Sequence, residues 1–316
     1  MTKPTIVTMY FNLKNLPDSS KETRPIEFYT KNGRGTLQLP YPMILFCDST
    51  TKPLLQSLRD ELVDPEEVPT VYIDKNFTDY DFYKLCYPTI VENRKRSNYY
   101  RNPDSRNTSS YFLLSMFKII ALQIASQRND FGSYHYFWID FGFSHVSKKP
   151  IYEDAIAMLE NPHPKIGMLY IHYRSNQACS DMNESKIHGV CGIAAGVISA
   201  EKKYIPRFHA HVLSVFYEML GSGVGHAEEQ VIMYCYDRHP ELFTIYFGDY
   251  YSLITNYHYV KQDWHIIKWA FIMSAQNAGR HDLAKAAAKK MLEGYEKKQS
   301  DLPESEVPNL LSIING

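Results

Sequence analysis

The sequence predicts an α/β fold built on one parallel or mixed sheet, and three observations predict it. Short apolar runs recur along the chain at residues 5–10, 42–48, 68–73 and 136–142. Several end in an acid or a turn residue, as strands do where they leave a sheet. Helical patterns alternate with them: Phe112, Leu113, Met116, Phe117, Ile120 and Ile124 recur at helical spacing. Finally, 316 residues with 44% hydrophobic content suffice to bury a full core without staples.

In order, Thr5-Ile6-Val7-Thr8-Met9-Tyr10 is the first strand. The second, at 42–48, ends in Asp48 and the polar turn Ser49-Thr50-Thr51, with a helix expected over 53–61. A third strand falls at 68–73. Asn107-Thr108-Ser109-Ser110 is an N-cap cluster that opens the long amphipathic helix. Tyr136-Phe137-Trp138-Ile139-Asp140-Phe141-Gly142 is an aromatic strand closed by an acid and a glycine. Further strands are expected at 167–173, 190–199 and 243–247, with helices at 204–220 and 227–237. After Trp264 two helices break at Gly279, the second rich in strong helix formers. From residue 297 a polar, proline-broken tail is expected to fray or pack loosely. This divides the chain into an α/β unit, 1–263, and a helical extension packed on it, 264–316. No internal repeat is found.

Composition narrows the function. The net charge of −1, from 34 basic and 35 acidic residues, lacks the basic excess of a nucleic-acid binder. The run Arg94-Lys95-Arg96 with Tyr99-Tyr100-Arg101 reads either as a phosphate contact or as a solvated loop. Five cysteines, Cys47, Cys86, Cys179, Cys191 and Cys235, form no metal-type spacing and suit free thiols in a reducing compartment. The N-terminus lacks a signal-peptide run, and no transmembrane segment is expected. A cytoplasmic protein is therefore expected, and the sequons at Asn76, Asn107 and Asn183 read as chance matches. The 25 tyrosines suit a sugar-binding surface and a packed core equally.

Four groups carry candidate chemistry. Asp140, at the carboxyl end of a buried strand, lies where α/β sheets bind ligands, though the same acid could cap the next turn. Gly142 would let a phosphate or metal approach the backbone. The letters Asp-Phe-Gly do not make a kinase, because no glycine-rich loop, strand lysine or His-Arg-Asp loop precedes them. The small residues from Cys191 to Val197 allow close approach of a flat ligand or of another backbone. Glu228, Glu229 and Gln230 follow a glycine loop from Gly221 to Gly225 and His226-Ala227. The two acids either satisfy a helix dipole or work as a base pair in a cleft. Gly248-Asp249-Tyr250, Asn256-Tyr257-His258 and His265 close the set, with His258 the stronger metal-ligand candidate.

The order of these pieces resembles the HtrL/YibB family of glycosyltransferase-like proteins. The resemblance runs from about Thr5 to Tyr257 and is carried by the Val-Thr-x-Tyr-Phe strand, the Phe-Cys-Asp strand end, the lysine-bearing helix and above all Trp138-Ile139-Asp140-Phe141-Gly142. It also resembles the wider GT-A plan, a Rossmann-type mixed sheet with helices on both faces, here with a C-terminal helix pair. In that plan an Asp-x-Asp holds a divalent metal on the donor diphosphate. Asp140 keeps the first acid and Gly142 replaces the second. Ala194-Ala195-Gly196 matches two of three positions of the acceptor-side Asn-Ala-Gly strand, and Glu229-Gln230 matches the later Asp-Gln.

The resemblance implies a nucleotide-sugar donor, UDP-sugar favoured, with Mn2+ (or Mg2+) as cofactor. The acceptor is a glycan, a lipid-linked or a protein acceptor. Thr8, Tyr10, Asp48, Lys118, Asp140, Gly142, Ala195 and Gly196 would hold the donor. Asp140 and His258 would hold the metal, and Glu228, Glu229 and Gln230 would serve catalysis. A hard cation on oxygen ligands would neutralise the leaving diphosphate. Lys118 would help neutralise phosphate or simply snorkel from its helix. The missing second acid keeps open a degenerate, non-catalytic sugar or nucleotide binder, and the C-terminal helix pair keeps open a protein-interaction module with the α/β part as scaffold.

Overall fold

A computed structural model describes residues 2–96, 106–147, 151–173, 192–223 and 228–316. Tyr99, Tyr100, Arg101, Cys179, Asn183, Cys191, Gly225, His226 and Ala227, singled out above, lie outside those residues. So does the start of the strand expected at 190–199.

The apolar runs form one seven-stranded sheet in the order β3-β2-β1-β4-β6-β5-β7. The strands are β1 (Thr5–Tyr10), β2 (Met43–Cys47), β3 (Thr70–Asp74), β4 (His135–Ile139), β5 (Ile166–Tyr170), β6 (Ile193–Glu201) and β7 (Phe243–Phe247). β1 pairs in parallel with both β2 and β4. β6 runs against both of its neighbours, β4 and β5, so the sheet is mixed. The chain builds outward from β1 to β2 and β3, then crosses to β4 on the other side of β1. Such a reversal opens a crevice at the carboxyl ends of the two diverging strands. Here those ends are Tyr10 and Asp140.

Side chains alternate between two apolar layers, as a strand period of two requires. Ile6, Leu45, Phe137 and Ile139 enter one layer, against α1 (Ile26–Leu37), α2 (Lys52–Leu62) and α5 (Tyr152–Glu160). Val7, Phe46 and Trp138 enter the other. That second layer is closed by α3 (Asp81–Arg96), α4 (Ser109–Arg128), α6 (Ile205–Gly221) and α7 (Glu228–Arg238). Helices therefore cover both faces, as the sequence predicts.

The long helix α4 is capped by Thr108, whose side chain accepts from Tyr111 N–H. Its length and apolar composition are sufficient to cross a membrane, contrary to the expectation that no stretch qualifies. In this fold 72% of that stretch is buried inside the protein. A core helix covered on nearly all sides is apolar all round for the same reason as a membrane span.

Three helices ahead of the C-terminal tail escape the sequence reading. α1 carries Gly33 and Gly35, and α3 carries Pro88, all of which read as breakers. α5 is only nine residues long. Arg94 and Lys95, read as part of a loop, belong to the last turn of α3.

The break at Gly279 is present, with φ +73. Before it, helix Trp264–Ile266 continues as a π-helical stretch, Ile267–Met273, and after it comes helix His281–Glu296. The expected frayed tail is instead a helix, Val307–Asn315, that buries Leu310 to 1% exposure. Proline at its first turn starts rather than breaks it. Ile267, Phe271, Ala287 and Leu310 belong to the same apolar cluster as Val7 and Trp138.

Helix His281–Glu296 meets backbone closely at Gly294, where an added Cβ would lie 2.1 Å from the Val260 carbonyl oxygen. Gly294→Ala should lower stability by about 1–3 kcal/mol in urea unfolding. An unchanged midpoint would mean that the helix and the 260 loop do not approach as described.

Candidate functional site

The crevice predicted by the strand order holds a cavity of about 360 Å³. Its floor is Lys118, Trp138, Asp140, Gly196, Glu228 and Glu229. Tyr10, Tyr29 and Phe141 line one wall. Arg24, Arg106 and His145 also line it, on chain nearer solvent.

Lys118 is the floor's centre. It projects from a stripe of α4, with Tyr111, Leu114 and Ser115, that faces the cavity. Its ammonium is 3.1 Å from the Ala195 carbonyl oxygen, 2.6 Å from Glu228 Oε1 and 3.2 Å from Asp140 Oδ1. An ammonium has three N–H donors, and three acceptors surround this one. Burial alone would lower the Lys118 pKa, but Asp140, Glu228 and Glu229 more than reverse that and raise it. The lysine is therefore a fixed positive charge.

Asp140 follows β4 directly, and its N–H continues the ladder to the Gly196 carbonyl. The Trp138 indole N–H donates to Oδ1 at 2.6 Å. Residues 138 and 140 share one face of the strand, so this contact is local in origin. Desolvation pushes the Asp140 carboxyl up, Lys118 pulls it down, and Glu228 adds to the rise. The side chain remains 43% exposed, so water in the cavity moderates the desolvation. The other oxygen, Oδ2, lies beside Gly196, 3.6 Å from where a Cβ would stand.

Glu228 and Glu229 occupy the first turn of α7 and both line the cavity. Glu228 is committed to Lys118. Glu229 Oε1 accepts from Ala195 N–H at 3.2 Å, and Oε2 accepts from the Tyr250 hydroxyl at 2.6 Å. Burial, then the neighbouring Glu228 charge, pushes the Glu229 carboxyl up to about 7. A carboxyl held there exchanges protons near neutrality.

On the wall, Tyr10 packs against Tyr29 and Phe141, with ring centroids 5.5 and 5.1 Å away. Burial raises the Tyr29 hydroxyl, and the nearby Arg24 and Arg106 charges oppose the rise. Arg24 also stacks over the Phe28 ring at 4.4 Å. Tyr250 stood in the candidate group Gly248-Asp249-Tyr250, whereas Trp138, Tyr29, Arg24 and Arg106 were not among the sequence candidates. Only Trp138 carried a legible signal, its shared strand face with Asp140.

The structure brings Tyr10, Lys118, Asp140, Gly142, Gly196, Glu228 and Glu229 to one cavity. Ala195 contributes through its backbone. Five candidates stand elsewhere. Asp48 turns its Oδ1 to the N–H groups of Thr50 and Thr51, at 3.0 and 2.9 Å, and so caps the turn into α2 rather than lining the cavity. Thr8 is fully buried in β1, and Gln230 is buried on α7 outside the lining. His258 hydrogen-bonds the Ala157 carbonyl of α5 at 3.2 Å. The chain after β7 runs back under the sheet, where Tyr257 bonds Ser199 and the backbone of His163, and this carries His258 away from Asp140. His265 lies in helix Trp264–Ile266, also outside the lining.

These residues do not fit a protein-held divalent metal. Gly142 stands where a second acid would be, and His258 is elsewhere. Asp140 Oδ1 and Glu228 Oε1 already share one ammonium. Among the described residues, no group of three His, Cys, Asp or Glu side chains is arranged to hold a metal ion. Gly142 has an ordinary φ of −99, and a Cβ there would meet nothing closer than 3.8 Å, so glycine is not demanded by the backbone.

Lys118→Met would leave Asp140 and Glu228 facing each other without their cation. Breaking a buried pair in this way costs roughly 3–5 kcal/mol, with the lower end expected because Asp140 is partly wet. Protonation relieves the repulsion, so the variant should regain stability as pH falls from 8 toward 5. Denaturant unfolding across that range checks both the size and the sign.

Comparison with solved structures finds mouse xyloside xylosyltransferase 1 in its apo form at 12% identity and TM-score 0.42, over 77% of this chain and 84% of that one. A 4-diphosphocytidyl-2C-methyl-D-erythritol synthase from Anaerococcus prevotii aligns at 9% identity and TM-score 0.38, over 86% and 99% of the two chains. A CMP:2-keto-3-deoxy-manno-octonic acid synthetase complexed with CTP aligns at 9% identity and TM-score 0.36, over 78% and 90%. No curated protein sequence matches the chain. The model of one family, described as "Bacterial protein of unknown function (HtrL_YibB)", matches residues 2–258, which include every residue of the cavity described here, and the chain belongs to that family.

Proposed function

We propose that the protein is a glycosyltransferase that moves a sugar from a nucleotide-sugar donor, a UDP sugar being favoured, to an acceptor hydroxyl. One observation carries this reading. A fixed lysine–carboxylate cluster and a proton-exchanging Glu229 share one crevice with an aromatic wall, at the carboxyl ends of β1 and β4. Tyr10, Tyr29 and Phe141 offer flat faces for a nucleobase or sugar. Arg24 and Arg106 offer paired-donor groups suited to phosphate.

In the proposed step Glu229 takes the proton of the acceptor hydroxyl as its oxygen forms the new bond to the anomeric carbon. The bond from that carbon to the diphosphate breaks, and the diphosphate leaves with the electron pair. Lys118 holds Asp140 and Glu228 in place, and Asp140 faces the positive charge that develops at the sugar. The acceptor class, whether glycan, lipid-linked or protein, stays part of the proposal. So does a cytoplasmic setting, which the free thiols Cys47, Cys86 and Cys235 support.

A second reading has its own observation. The donors of Lys118 are all engaged within the protein, and Gly142 supplies no second acid, as in a site that binds a nucleotide sugar without turning it over. Hydrolysis of the donor separates the two readings: slow release of free sugar from a UDP sugar supports the transferase, and stoichiometric binding without release supports the binder. A thermal-shift screen of UDP, GDP and CMP sugars, with and without Mn2+, identifies the donor, because a ligand above its dissociation constant raises the midpoint by mass action. If no nucleotide sugar shifts the midpoint, both readings fall.

Glu229→Gln should reduce turnover roughly 100-fold or more while donor affinity changes by about twofold at most. Wild-type activity should rise with pH through about 7, where Glu229 ionises, and the variant should lack that limb. Stability has the opposite sign. The Glu229 carboxyl has a folded value above its unfolded one, so its contribution is present at low pH and is lost as pH rises toward about 7. The variant should therefore gain stability relative to wild type across that window, as unfolding at stepped pH would read.

A further inference from the structure

We propose that this site handles its donor diphosphate without a protein-held divalent metal, Lys118 being the resident cation between Asp140 and Glu228 and Arg24 with Arg106 neutralising the diphosphate. The inference rests on the transferase or binder reading above. It departs from what the family resemblance implies about the metal.

The donor set carries it. A divalent cation on carboxylates needs several oxygens that are free to coordinate it. Asp140 Oδ1 is bonded to the Trp138 indole N–H at 2.6 Å and paired with Lys118 at 3.2 Å. Glu228 Oε1 is paired with the same ammonium at 2.6 Å. Both oxygens of Glu229 accept hydrogen bonds, from Ala195 N–H and from the Tyr250 hydroxyl. Of the three floor acids, only Asp140 Oδ2 and the second oxygen of Glu228 remain for coordination. The ammonium sits between the two acids, where a bridging metal would otherwise have to be.

Lys118 does not reach the phosphates in this arrangement, because its donors are directed at Ala195, Glu228 and Asp140. It is a positioning residue. The charge for a diphosphate must come from elsewhere on the cavity wall. Arg24 and Arg106 both line it, and both lie close enough to Tyr29 to act on its hydroxyl. They reach the site from widely separated segments, 23–24 before α1 and 106–107 before α4, and converge beside the aromatic wall. Guanidinium groups bind phosphate oxygens in paired hydrogen bonds and keep their charge at any working pH.

The experiment is calorimetry of UDP against the full chain, once in EDTA and once in Mn2+. Expected are dissociation constants within about threefold of each other, and a roughly tenfold loss in EDTA for Arg24→Gln or Arg106→Gln. UDP binding that requires Mn2+ overturns the proposal and leaves the nucleotide-sugar reading standing. Failure of UDP, GDP, CDP and ADP alike, in both buffers, overturns the proposal together with that reading. Mn2+ alone is the third titrant. Wild type should give no binding heat, whereas Lys118→Met, with two unpaired carboxylates, should acquire Mn2+ binding that a merely structural lysine would not suppress. A folded Lys118→Met that ignores Mn2+ overturns the role given to Lys118. If that variant does not fold, Lys118→Arg keeps the charge and should remain silent to Mn2+. Mn2+ binding by Lys118→Arg or by wild type overturns the proposal.

Discussion

The buried ammonium of Lys118 is the constraint on which the site depends. It lies at 3% exposure in the middle of an otherwise apolar helix and touches three separate elements. A charge that deep is tolerable only with partners, and each partner must come from a different part of the chain. The β4 terminus supplies Asp140, the start of β6 supplies the Ala195 carbonyl, and the first turn of α7 supplies Glu228. Desolvation and pairing together thus fix the relative positions of four elements.

The reversed strand β6 makes this convergence possible. In a purely parallel sheet the start of a strand lies at the end opposite the ligand crevice. β6 is antiparallel to β4, with Ile139 opposite Val197, so its first residues stand beside Asp140. Both backbone groups of Ala195 are then available to the site: the carbonyl for Lys118 and the N–H for Glu229. Small side chains at 194–196 leave room for this, and Gly196 exposes Asp140 Oδ2 to the cavity. The strand's small residues serve close approach, as their sequence suggests, but it is backbone and carboxylates that meet there.

Electrostatics divides the cavity. Three carboxylates and one ammonium at the floor favour positive charge, which suits a sugar whose anomeric carbon becomes cationic as its bond breaks. The arginines on the wall favour an anion, as the leaving group of the proposed transfer would be. Both preferences share one cavity, and Tyr29 of the aromatic wall, packed on Tyr10, feels the charges of Arg24 and Arg106.

Much of this was written locally. Alternating apolar runs and turn residues determined the seven strands, because a strand buried on both faces needs an apolar run and ends where polar residues begin. β1 and β7 have the predicted bounds. The shared strand face of residues 138 and 140 and the acidic first turn of α7 were equally local. Glycine and proline concealed α1 and α3, since packing against the sheet overrides their intrinsic cost. What only the tertiary structure decided was which acid does what. Asp48 and Asp140 both end strands, yet Asp48 satisfies nearby N–H groups while Asp140 meets a lysine 22 residues away in sequence. His258 looked like a ligand by order along the chain, but the path of the segment after β7 took it elsewhere. Local pattern sets periodicity and caps; the pairing of buried charges depends on distances across the fold, which no local pattern records.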